Sequence, residues 1–130
     1  MVIIAFRPEY QLTVNAAKNR IFYQNFERMQ WATSLPHYEA DWTAALAEVG
    51  AGFCILSDMQ VVNQVNPLVP RPEFLAVEQL IVAHGVRMVA EIHVPGLPTR
   101  RISDVITTSL AMPVRQFLSL WEADQFLDDL

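Results

Sequence analysis

Cationic side chains are scarce in this chain. Nine lysines and arginines stand against fourteen aspartates and glutamates, Lys18 is the only lysine, and the net charge is −5. No basic patch stands out, which argues against nucleic-acid binding, because neutralising phosphates needs clustered cations. Cysteine is nearly absent: Cys54 alone excludes an internal disulfide and any cysteine-based zinc site. It lies in an apolar run, where a free cysteine acts as a small buried hydrophobe. The four glycines include none in a strand-to-helix turn of the phosphate-loop kind. Long apolar runs are missing too. The opening MVIIAF is too short for a signal-peptide core and lacks its basic start. No run approaches the ~20 residues of a membrane helix. The expectation is a cytoplasmic protein that is not integral to a membrane. No internal repeat or low-complexity tract is visible.

What is abundant is apolar surface. Hydrophobic residues make up 52% of the 130 residues, charged residues 18%, and the mean hydropathy is +0.21. This length fits a single domain, residues 1–130, able to fold without a metal or disulfide. The apolar surplus implies a dense core, or a core plus an oligomer interface, and a homodimer is expected.

The periodicity then divides the chain. EYQLTVN alternates, with Tyr10, Leu12 and Val14 on one face, and predicts a half-buried strand. AAKN turns the chain into a second strand, RIFYQNFE, giving a hairpin. In PHYEADWTAALAEVG the period becomes helical through Tyr38, Trp42, Ala45 and Val49, with Pro36 in the first turn. GFCILSDM is a continuous apolar strand, covered on both faces. A proline-punctuated loop leads to the helix EFLAVEQLIVAHG, in which Phe74, Val77 and Ile81 share a face and Gly85 caps the end. VRMVAEIHV is a strand with Val86, Met88, Ala90 and Ile92 on one side and Arg87, Val89, Glu91 and His93 on the other. TRRISDVITTSL predicts a helix and MPVRQFLS a short strand. SLWE has capping-box form ahead of a last helix with Ala123, Phe126, Leu127 and Leu130 inward. The fold class is therefore α/β: an N-terminal β-hairpin followed by β-α units, forming a mixed sheet of about five strands with about four helices.

This order resembles the STAS domain, with its SpoIIAA-like fold, and in particular the stand-alone STAS-like and SEC14-like bacterial proteins. The residues that carry the resemblance are FCILSDM, LIVAHGVRMVAEIHV and FLSLWEADQFLDDL. The resemblance implies a regulatory or binding role. Signalling members of the family carry a phosphorylated serine in a turn after a strand that ends in aspartate. Asp58 can stand for that aspartate, but the corresponding turn, near QVNPLVP (Gln64 to Pro70), holds no serine or threonine. The phosphoserine switch does not carry over, and Ser57 is not assigned to it.

Ligands of open α/β sheets bind outside the carboxyl ends of the strands. Two strands here end in polar groups, Ser57-Asp58 and Glu91-His93. If parallel neighbours, they bring Asp58, Glu91 and His93 into one crevice and permit a small enzyme site, although no nucleophile elbow accompanies them and Asp58 also suits a turn cap. Arg87 and Glu91 lie about 13 Å apart along the strand and do not pair, so Arg115 is a possible partner for Glu91. Arg100 and Arg101 open a helix, either as an anion site or as exposed side chains reaching carboxylates. His37 and Asp41 share a helix face, read as solvated because no further metal ligands accompany them. Trp31 and Met29 form a contact patch if exposed. No cofactor and no metal are expected. The leading expectation is a non-enzymatic domain acting by protein–protein contact or by contact with a small or lipid-like ligand, with binding residues among Ser57, Asp58, Arg87, Glu91, His93, Arg100 and Arg101. The alternatives are an enzyme using Asp58, Glu91 and His93, or a structural subunit of an oligomer.

Overall fold

Alternation along the first hairpin decides which way the sheet faces. The computed structural model describes residues 1–60, 72–93 and 112–130. Strand β2 (Tyr10–Asn15) pairs antiparallel with β3 (Arg20–Asn25) in unbroken register from Tyr10 opposite Asn25 to Asn15 opposite Arg20. Tyr10, Leu12, Val14, Ile21 and Tyr23 all join one core. The turn relies on asparagine. Asn19 takes a left-handed backbone with φ of 54°, which Asn tolerates better than most residues. Its side chain accepts from Gly50 N at 2.9 Å and donates to Gly50 O at 3.2 Å, tying the hairpin to the loop after the first helix.

Four further strands complete a mixed sheet in the order β1-β2-β3-β4-β5-β6. Strand β1 (Val2–Phe6) pairs antiparallel with β2, with a bulge between Ile3 and Ala5. Strands β4 (Cys54–Asp58), β5 (Met88–Ile92) and β6 (Val114–Phe117) each run parallel to the preceding neighbour, beginning from β3. The described residues thus hold six strands, one more than the hydropathy pattern predicts. The extra one is β1, an edge strand whose short apolar run shows no alternation.

Helices cover both faces of the parallel half. Helices α1 (Tyr38–Leu46) and α2 (Pro72–Ala83) lie on one face, where Trp42, Ala45, Val77 and Ile81 pack with Ile55 and Val89. Helix α3 (Leu120–Asp128) lies on the other, where Ala123 and Leu127 pack against Cys54, Leu56, Ala90 and Ile92. That two-sided burial is why GFCILSDM reads as continuously apolar. Buried Ala90 and Ala123, both at 0% exposure, let α3 approach the sheet closely. Leu130, expected inward, is exposed. Ser119 caps α3, its Oγ accepting from Glu122 N at 3.2 Å. Gly85 ends the α2 region with φ of 90°; a Cβ there would also sit 3.2 Å from the Ala51 Cβ. The helix expected over TRRISDVITTSL lies outside the described residues. Among the described residues, no helix is long and apolar enough to cross a membrane.

Polar contacts pin the hairpin to the helices. Arg7 Nε and Nη2 each donate to Asp41 at 2.9 Å, and the Tyr10 hydroxyl donates to the same carboxylate at 2.5 Å. Asp41 is buried, not solvated as its sequence position suggested, and His37 beside it is exposed. On the far face, Arg20 reaches Asp124 at 2.7 Å and Asp128 at 3.0 Å, and Lys18 reaches Asp128 at 3.1 Å.

Candidate functional site

Parallel register places residues of β3, β4 and β5 in rows across the sheet. One row reads Tyr23, Ser57, Glu91. Side chains in such a row share a face, here the face covered by α1 and α2. Ser57, Glu91 and His93 are all buried there. His93 lies two residues beyond Glu91, so it repeats the same side, and its Nε2 stands 3.5 Å from Glu91 Oε1. Neither ring nitrogen of His93, at 2% exposure, has a hydrogen-bond partner among the described residues.

Glu78 of α2 lies within electrostatic reach of Glu91. Its Oε2 is buried without a hydrogen-bond partner. Burial, and after it the negative charge of Glu91, push its carboxyl up to about 8, so at neutral pH it is mostly protonated. The rings of Tyr23 and Tyr38 meet edge to face with centroids 6.2 Å apart, and burial drives both hydroxyls well above the ordinary tyrosine range. Phe74 stands edge-on to Tyr38 with centroids 5.2 Å apart. The result is a row of buried polar side chains, Ser57, Glu91 and His93, with half-buried Glu78 close enough to feel the charge of Glu91, set near the carboxyl ends of the parallel strands.

The other candidates separate from it. Asp58 pairs in register with Ile92, which belongs to the core under α3, so it stands on the opposite face of the sheet. Its Oδ1 accepts from Gln60 N at 3.2 Å, a local turn contact. The expected convergence of Asp58, Glu91 and His93 is therefore corrected to Glu91 and His93 alone. A one-residue step along a strand reverses the face, and Ser57 takes the inner position instead. Arg87 is exposed ahead of β5. Arg115 pairs in register with Ala90, and its guanidinium lies 4.7 Å from the Phe126 ring centre, so it does not share the face of Glu91. Arg100, Arg101 and the QVNPLVP segment lie outside the described residues. Met29 is buried while Trp31 is 67% exposed, so the two do not form a joint patch. Among the described residues, no three His, Cys, Asp or Glu side chains gather closely enough to hold a metal ion.

Glu78 was readable and missed. It falls four residues after Phe74 and three before Ile81, inside the apolar stripe of α2, where an acid must be buried or partnered.

Models of protein families, curated proteins and solved structures gave no match to this chain.

The cluster has the elements of hydrogen-bond recognition: a neutral acid, a second carboxylate, an imidazole and tyrosine hydroxyls. Among the described residues, no relay of nucleophilic catalysis is formed, in which a histidine nitrogen bonds the nucleophile while the other is held by an acid. His93 is held by neither.

Proposed function

We propose that this chain is a STAS-like binding and regulatory module. It acts by non-covalent contact at the polar cluster beneath α2, without the phosphoserine switch of signalling members of that family. The observation that carries the reading is His93. A buried imidazole with no hydrogen-bond partner costs about 1–3 kcal/mol, and such groups are rare in folded proteins unless something else occupies them. A small ligand with complementary donors and acceptors offsets that cost. The position near the carboxyl ends of parallel strands is where open α/β sheets bind ligands.

The module works in the cytoplasm as a homodimer. The dimer is supported by the exposed apolar residues Val2, Ile3 and Phe6 on edge strand β1. That edge carries no charged or proline residue to block strand pairing, so a second copy can extend the sheet antiparallel across a twofold axis.

The test is native mass spectrometry of the protein purified gently from its own host. A dimer carrying extra small-molecule mass, lost in a His93→Phe variant of unchanged fold, is the expected result. Ligand-free protein, together with no ligand-induced protection of β5 and α2 from hydrogen exchange in host extract, overturns it.

A further inference from the structure

We propose that the row Asn25, Met59, His93 at the carboxyl end of the sheet binds copper(I), a soft monovalent metal ion, through the Met59 thioether and the His93 imidazole. The proposal rests on the binding-module reading, in which His93 is the central group, and names the ligand class for it.

Strand register builds the row. Gln24 of β3 stands opposite Asp58 of β4, and Asp58 stands opposite Ile92 of β5. One residue further on, Met59 N donates to Ile92 O at 3.1 Å, so the parallel ladder continues. Met59 therefore lies beside His93 on the next strand, at the usual spacing of about 4.8 Å. On its other side, Asn25 Nδ2 reaches Met59 Sδ at 3.0 Å. All three share the face covered by α1 and α2. Asn25 is paired with Tyr10, Met59 packs against the same core, and His93 repeats the side of Glu91.

Polar atoms at both ends of this row are orphaned. Asn25, at 4% exposure, has no partner for Oδ1, and His93 has none for either nitrogen. The residue between them is a methionine, and that decides the ligand. A thioether accepts only weak hydrogen bonds, so a hydrogen-bonding ligand gains little from it. A soft cation bonds to the sulfur directly, and imidazole also suits copper. Copper(I) is satisfied by two such donors. Zinc requires three or four ligands, and no three His, Cys, Asp or Glu side chains gather among the described residues.

The surroundings fit a metal-bound imidazole. Nε2 of His93 lies 3.5 Å from Glu91 Oε1. A ligating histidine turns its other N–H to a carboxylate, which fixes the tautomer and strengthens the ring as a donor. Closing that gap by about 0.5 Å makes the bond and leaves Nδ1 for the metal. Asn25 does the matching work for the thioether: its N–H engages one lone pair of the sulfur and orients the other. Met59 is half-buried and gives the ion its way in. Cys54, the one thiol, lies on the opposite face under α3, where burial raises its pKa, and takes no part.

The experiment titrates the full chain anaerobically with copper(I), supplied as its acetonitrile complex, in competition with the chromogenic chelator bicinchoninate. X-ray absorption at the copper edge identifies the donors. The expected result is one copper(I) retained per chain, bonded to sulfur and nitrogen. Met59→Leu conserves volume and keeps the fold, yet should weaken binding at least about tenfold and remove the sulfur signal. His93→Phe should weaken it at least as much, and Cys54→Ala should change neither affinity nor donors. Zinc should bind at least about 100-fold more weakly than copper(I). Copper(I) surrendered wholly to the chelator, held equally by Met59→Leu, or losing its sulfur in Cys54→Ala overturns the proposal. An organic adduct in native mass spectra, displaced by His93→Phe while copper(I) is not retained, overturns the metal and leaves the binding module standing. Absence of both retained copper(I) and a native adduct removes both.

Discussion

Replacing Glu78 by glutamine should stabilise the protein, and only on the alkaline side. In the unfolded chain this carboxyl loses its proton near 4.5, whereas in the fold it keeps it up to about 8. Between those values the native state holds one proton more than the unfolded state, so stability falls as pH rises through the window. The window spans about 3.5 pH units. At 1.36 kcal/mol each, the full penalty approaches about 5 kcal/mol, a ceiling reached near pH 8. The cause is burial first and the adjacent Glu91 second. Glutamine keeps the shape and cannot ionise, so it escapes the penalty. Urea unfolding of both proteins from pH 5 to pH 8.5 measures it directly. The two should agree within about 1 kcal/mol at pH 5, and the variant should lead by about 2–5 kcal/mol at pH 8.5. Taking the difference between the proteins cancels the titration of all other carboxylates to first order. A difference that does not change with pH would show that Glu78 is ionised and solvated at neutral pH, and the account of the cluster would fail.

The remaining predictions concern the fold that holds the cluster. Asp41→Asn should cost about 2–4 kcal/mol at pH 7 by urea unfolding, since it breaks the two-pronged Arg7 contact and leaves the Tyr10 hydroxyl poorly matched. Burial pushes the Asp41 carboxyl up, but the bonds from Arg7 and Tyr10 outweigh it and hold it below 3.8. Its contribution is therefore present above that value and disappears as pH falls through the lower native one, so the cost of the substitution should shrink in acid. Arg20→Met should cost about 1–2 kcal/mol and speed amide exchange in α3, because the lost partners Asp124 and Asp128 are left partly exposed and remain hydrated. Ala123→Leu should cost about 1–3 kcal/mol by overpacking α3 against β4 and β5, with a melting temperature lowered correspondingly.

Periodicity carried most of the fold because most of its elements are amphipathic in the simple way. The hairpin, α1, α2 and α3 all stand where alternation or helical spacing predicts them, although α1 begins at Tyr38, after Pro36 and not at it. β1 escaped because an edge strand with a bulge needs no alternation, and VIIAF presents none. The site was half legible. Glu91 and His93 could be paired from strand parity alone. Asp58 was drawn into the same set by its nearness in sequence to Ser57, and the register shows that nearness and facing are opposite things on a strand. The partner of Asp41 could not be read at all, because Arg7 lies 34 residues away and meets it only through the fold.

Asp41 and Glu78 carry the same signature in sequence: an acid set at helical spacing within an apolar stripe, the first between Tyr38 and Ala45, the second between Phe74 and Ile81. Their fates differ. Asp41 is satisfied three times over by Arg7 and Tyr10, so its burial is explained by holding α1 to the hairpin. Glu78 has one buried oxygen, Oε2, without a hydrogen-bond partner; the charge that acts on it is that of another acid, Glu91, and the imidazole of His93 beside that acid is likewise without a hydrogen bond. A structural role accounts for the first arrangement and gives no reason for the second. An acid facing an acid lowers stability at neutral pH, and a hydrophobic residue in α2 would remove the cost without disturbing the fold. Orphaned groups that persist against such a cost cluster where a protein meets a ligand. That contrast is the reason for placing function beneath α2, on the face where Ser57 and not Asp58 points.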